Sequence, residues 1–246
     1  MLRKPALSAP AARVSTLLRK ALNLLALIPA SLNLACLILA SLTLAVLPPV
    51  PGQALAQTGP PLFQDYHYGD PRAELAGQPG MFDCSQDLGP GALCLSGVEY
   101  LERTWEADFA FVDGRLRSVS LVAPFDKQLY TLAFAEVVKE SALVAMQSLA
   151  GEMDLTALLV QHQDDPEAFD QAVTGFESQG MAEGALAYIF LDKQSIAVSA
   201  AHATNLGELL EGAELDALQT VLVLTSGQGR DWISFIFEYP NLEPSR

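Results

Sequence analysis

Cys84 and Cys94 are the residues whose type and spacing point to the most definite chemistry in this chain of 246 residues. Nine residues separate them, Gly89, Pro90 and Gly91 among them, so the chain can turn back and bring the sulfurs together. Closing so short a loop stabilises by roughly 3 kcal/mol on the chain-entropy estimate. A redox centre more often shows two cysteines separated by two residues. A metal site wants further Cys or His nearby, and the nearest histidine is His67. The pair therefore reads as a structural disulfide, which requires a non-cytoplasmic domain.

The other candidates for chemistry do not assemble. Ser226 lies in Thr225-Ser226-Gly227, a turn and not a Gly-x-Ser-x-Gly elbow. His67, His162 and His202 are the three histidines, and no two stand four apart as a helical metal pair would. No Gly-x-x-x-x-Gly-Lys phosphate cradle is present. Hydrolysis by paired carboxylates needs two acids across a cleft, and nothing in the sequence selects a pair from the 29 acids. No catalytic, cofactor-binding or metal-binding residue is assigned. Tyr66, His67 and Tyr68 form a candidate binding surface, because Tyr often anchors interfaces. Trp105, Trp232 and Tyr239 either extend such a patch or fill the core.

The location follows from charge. Arg3, Lys4, Arg13, Arg19 and Lys20 are the basic residues before position 57, and no charge lies between Lys20 and Asp65. A basic head and the apolar run Ala21 to Leu47 make an export segment, with Pro48, Pro49 and Pro51 ending it. Ala54-Leu55-Ala56 supplies small residues for cleavage between Ala56 and Gln57. The run is also long enough to stay as an uncleaved anchor. Both readings place residues 57–246 outside the cytoplasm, in the periplasm or tethered to the inner membrane. Beyond the leader the basic count falls from 14 to 9 while all 29 acids remain, a net charge near −20. Such a surface disfavours nucleic acid and anionic lipid, so membrane contact is expected only through an uncleaved N-terminal segment.

The elements that must hold these residues are legible by period. Residues 57–68, and Gln57 to Phe63 above all, read as an extended linker. Asp70-Pro71 starts a short helix. Residues 97–122 carry strand signals, with Asp113-Gly114 as a hairpin turn. A two-residue turn would put Val119 and Leu121 opposite Phe109 and Phe111. A three-residue loop with a glycine bulge restores all four to one face. Asp126 to Ala150 reads as the strongest helix. Asp154 to Gln161 and the segment from Asp165-Pro166 to Gly180 are further helices. Ala185–Leu191 and Ser195–Ala200 form a hairpin around Asp192-Lys193. Asn205 with Glu208 is a capping box for a helix over 206–217. Thr220–Thr225 and Asp231–Tyr239 form a last hairpin around Gly227-Gln228-Gly229. The fold class is α+β, an antiparallel sheet of hairpins with helices on one face. Residues 69–246 make one exported domain, with a loose echo between halves 69–150 and 151–246.

Gly69-Asp70-Pro71-Arg72-Ala73-Glu74-Leu75, then Gly77-Gln78-Pro79 and the hairpin through Asp113-Gly114-Arg115-Leu116, are similar to the start of a familiar exported module. Residues 68–122 resemble the β-lactamase-inhibitor-protein-like superfold shared with small outer-membrane-assembly lipoproteins. That resemblance implies a non-enzymatic binding or assembly domain of the bacterial envelope, with a protein or small-molecule partner, and carries over no functional residue. The alternative reading is an envelope hydrolase with paired carboxylates.

Overall fold

The computed structural model describes residues 59–227 and 229–242, all within the unit Thr58–Arg246. The export segment, with Ala56 and Gln57, lies outside the described residues. The chain runs through β1 (Pro61–Phe63), β2 (Tyr66–His67), α1 (Arg72–Ala76), β3 (Met81–Asp83), α2 (Ser85–Leu88), β4 (Leu93–Tyr100), β5 (Arg103–Val112) and β6 (Arg115–Pro124). It continues through α3 (Lys127–Glu140), β7 (Ser141–Ser148), β8 (Glu152–Asp154), α4 (Leu155–Gln161), α5 (Pro166–Glu183) and β9 (Ala185–Asp192). Then come α6 (Lys193–Ile196), a 3-10 turn (Ser199–Ala201), α7 (Leu206–Glu211), β10 (Gln219–Gly227) and β11 (Arg230–Glu238).

Nine strands form one antiparallel sheet in the order β3-β4-β5-β6-β11-β10-β9-β7-β8, while β1 and β2 pair separately. The class is α+β, as the sequence implies, but helices lie on both faces, α3 and α5 on one and α6 and α7 on the other. The first half of the sheet is built by α1, the edge strand β3, α2 and then β4-β5-β6; the second by α3, the pair β7-β8, α4 and α5 and then β9-β10-β11, with α6 and α7 between β9 and β10. The final strands, β6 and β11, pair with each other near the centre. In the second half α3 leads directly into β7, which lies between β9 and the edge strand β8.

The β5–β6 hairpin shows how register is set. Asp113 and Gly114 have φ of 51° and 73°, so the turn has two residues, both left-handed. Such turns match the twist of the flanking strands. Pairing begins at Val112↔Arg115 and Phe111↔Leu116, then shifts to Ala110↔Ser118. Arg117 is the extra residue. The expected bulge therefore exists in the strand and not in a three-residue loop. It puts Phe109, Leu116, Val119 and Leu121 in one core, with Phe111 packed against it.

That core lines one face of the whole sheet. Leu62, Phe63, Tyr68 and Leu75 cover its first half; Leu129, Ala133 and Val137 of α3, with Phe169, Val173 and Phe176 of α5, cover the second. Trp105 is 1% exposed, and its indole N–H donates to Tyr100 O at 2.7 Å. The 57–68 linker is thus corrected in part. Pro61–Phe63 is a strand because Leu62 and Phe63 have core to bury against.

Three further expectations change. The helix over 126–150 ends at Glu140, and 141–148 is a strand. Val144, Ala145 and Met146 are consecutively buried, the mark of a strand covered on both faces, which no alternating pattern reveals. The strand expected over 195–200 is a helical turn, since Asp192 accepts from both the N–H and hydroxyl of Ser195 at 2.8 Å. The α5 helix passes Gly180 and ends at Gly184, whose φ of 86° suits a left-handed cap. Gly180 is instead a contact point, where a Cβ would lie 2.9 Å from Leu186 Cδ1. The capping box holds: Asn205 Oδ1 accepts from Glu208 N at 3.0 Å, and Glu208 accepts from Thr204 N at 2.8 Å. Its helix stops at Gly212, short of 217.

The two ends of the domain are tied together. Tyr68 donates to Leu242 O at 2.5 Å, and Tyr239 donates to Pro61 O at 2.6 Å. The bulged Arg117 donates to Leu242 O and the Tyr68 hydroxyl, with its guanidinium 5.1 Å from the Tyr68 ring centre.

Candidate functional site

The second face of the sheet is unevenly covered. Paired positions define one transverse row: Phe82, Cys94, Asp108, Ser120, Ile236, Val221, Ile189, Ala145 and Asp154. Directly paired residues project to the same side. Val221, Ile189 and Ala145 are buried in a second cluster under Ile196 of α6 and Leu209 of α7. Among the described residues the cover stops there. At the other flank Leu88 of α2 packs against Cys84, Ala92 and Cys94.

Between the two flanks lies an open strip. Its floor is small and hydroxylated: Ala110, Ser118, Ser120 and Ser234, with Val122, Ile236 and Trp232 as half-buried apolar contacts. Phe82, 45% exposed, stands at the edge strand. Four acids, Glu99, Glu106, Asp108 and Glu238, share this side, with Arg115 and Arg230 towards the strand ends. The Ser96 hydroxyl donates to Glu106 at 2.6 Å and that of Thr104 to Glu99 at 2.8 Å.

Asp108 differs from its neighbours. Burial, with Glu106 nearby on the same strand, pushes its carboxyl up to about 7. Its Oδ1 lies 3.2 Å from Cys94 Sγ. Cys84 and Cys94 are joined, with Cα atoms 5.9 Å apart, and each is 7% exposed. Arg72 of α1 holds the outside of the loop, donating to Gly91 O and Asp83 Oδ2, both at 2.7 Å. Cys84, Cys94 and Asp108 are the one group among the described residues whose donor atoms lie close enough together for a metal. While the sulfurs are bonded, neither is the thiolate a metal needs.

Of the candidate surface residues, Tyr68 is buried, and Tyr66 packs edge-on to Phe109 with ring centres 4.7 Å apart. His67 is half-buried beside Asp65 O. This segment therefore roofs the core, because it lies over the first sheet face. Trp105 and Tyr239 are also buried, which leaves Trp232 on the open strip. Sequence reading missed Asp108 and the serines. Their signal was parity: Glu106, Asp108 and Ala110, and Ser118, Ser120 and Val122, occupy the positions between core residues.

No protein-family model, curated protein or solved structure matches the chain.

Proposed function

We propose that the chain is an exported, non-catalytic binding protein of the bacterial cell envelope, and that its partner lies along the open strip. The observation that carries this is the uncovered half of the second sheet face, where Val122, Trp232 and Ile236 stand among serines. Apolar residues grouped on a sheet face that is not roofed are where a partner can bury surface. The exported part carries a net charge near −20, and the carboxylates of Glu99, Glu106 and Glu238 lie on the strip. This charge favours a basic polypeptide segment, steered by opposite charge and anchored on the apolar residues. The disulfide, the basic head with its apolar run, and the resemblance over residues 68–122 support the same reading. The test is photo-cross-linking in intact cells from residue 120, with residue 167 on α5 as control. Adducts from position 120 to a basic protein are expected. Equal labelling from both positions, or none from 120, refutes the reading.

A carboxylate-pair hydrolase has one observation in its favour, Asp108 beside Glu106 with its carboxyl raised to about 7. Glu106 stands exposed on an open face and the disulfide sits against Asp108, so no cleft holds a scissile bond between the two acids.

A further inference from the structure

We propose that Cys84–Cys94 is a proton-coupled thiol–disulfide centre, in which Asp108 hands its proton to the Cys94 sulfur as an external dithiol opens the bond. This is independent of the binding reading. The argument begins with the contact itself. A bonded sulfur carries no hydrogen, so at 3.2 Å the Cys94 sulfur can only accept. Of the two groups in that contact, Asp108 is the one that can carry a proton. Its carboxyl is held up to about 7 by burial, so the acid is available in protonated form near neutrality. A carboxylate in the same place would set an anion against sulfur lone pairs.

The step balances as follows. A thiolate of the dithiol attacks Cys84 Sγ, and the S–S bond breaks towards Cys94. The electron pair arrives on Cys94 Sγ, which takes the proton of Asp108 and becomes a thiol. The second thiolate of the reductant then attacks the mixed disulfide, leaves as its own disulfide, and releases the Cys84 thiolate to be protonated by water. The dithiol is oxidised by two electrons and the protein bond is reduced by two. Afterwards the Cys94 S–H donates to the Asp108 carboxylate across the same distance. The hydrogen bond reverses direction, and Asp108 is the group in place to stabilise both states.

The surroundings fit this assignment. The cluster of Cys84, Ala92, Cys94 and Leu88 is separate from the main core, so α2 and Cys84 can move while Cys94 stays paired in β4. The charged groups around Asp108 are few. Glu106 lies on its own strand; Asp87 on α2 is exposed; Asp83 before the loop is paired with Arg72 from α1. Across the sheet Asp108 faces Cys94 and Ser120, neither of them charged.

The experiment uses the full chain expressed with its own leader. The second-order rate of reduction by dithiothreitol is followed by trapping thiols with a maleimide mass tag from pH 5.5 to 8.5. Each rate is divided by the thiolate fraction of the reagent. For wild type the corrected rate should be level at low pH and fall above pH 7. Asp108→Asn should be flat and about a hundredfold slower at pH 5.5, the lower end of what a positioned acid supplies. Glu106→Gln should move the break to lower pH, which a purely structural role for Asp108 does not predict. Matching profiles for wild type and Asp108→Asn overturn the proposal. If the variants do not fold, a wild-type profile without a break overturns it alone.

Discussion

Replacing Asp108 with asparagine should make the stability of the domain nearly independent of this site between pH 5 and pH 8, where wild type loses stability. The native carboxyl is raised to about 7, against about 4 in an unfolded chain. A raised acid favours the fold through its protonated form. Its contribution is fully present below about pH 4 and is lost as pH rises through about 7. With those two values, the loss between pH 5 and pH 8 is roughly 2.5 kcal/mol. The residual exposure of the carboxyl makes this an upper figure. Asparagine has the same shape and no charge to desolvate, so the variant should gain on wild type by up to that amount across the window. Urea unfolding followed by tryptophan fluorescence at pH 5, 6, 7 and 8 reads this directly, since Trp105 is fully buried. The acids held low by partners, Asp83, Asp126 and Glu208, lose their contributions only as pH falls through their lowered values, below this window. Burial raises Glu152 as well, but that effect is common to both proteins and cancels in the difference. A wild-type minus variant difference that stays constant from pH 5 to pH 8 would mean that Asp108 is ionised in the native state.

Removing the disulfide with Cys84→Ser and Cys94→Ser should cost about 3 kcal/mol in urea unfolding while circular dichroism keeps the sheet signal, because the main core is separate from the loop. Gly180→Val should cost about 2 kcal/mol, since even a Cβ at this buried helical position crowds Leu186 and Ser148; calorimetry reads it as a lowered Tm. Arg117→Lys should cost about 1 kcal/mol and speed proteolysis near the chain ends, because one ammonium cannot keep both the Nη1 contacts to Tyr68 and Leu242 and the Nη2 contact to Pro240 O. Mass spectrometry of the protein from fractionated cells should find a chain beginning at Gln57.

Elements with punctuation were legible in advance. The capping box at Asn205 and Glu208, the Pro166 helix start, the Asp113-Gly114 turn and the last hairpin all carry local chemistry that the fold keeps. What escaped was decided by distant partners. Residues 141–148 are helix-compatible by composition and become a strand because β8 and β9 flank them. Ser195 follows a capping aspartate in place of a ladder. The open strip was half visible, since parity separated the polar positions of β5 and β6 from the phenylalanines. Its extent depended on where α2, α6 and α7 settle, and no local pattern carries that. Tyr66 and Tyr68 show the same limit: an aromatic pair reads alike whether it roofs a core or greets a partner.

The knot of contacts among Pro61, Tyr68, Arg117, Tyr239 and Leu242 brings the domain's first and last strands side by side. Nothing in the sheet's order then depends on where the polypeptide starts. A gene rearranged to begin at Gly114, with a brief glycine-serine bridge joining 242 to 59, should still encode the same sheet.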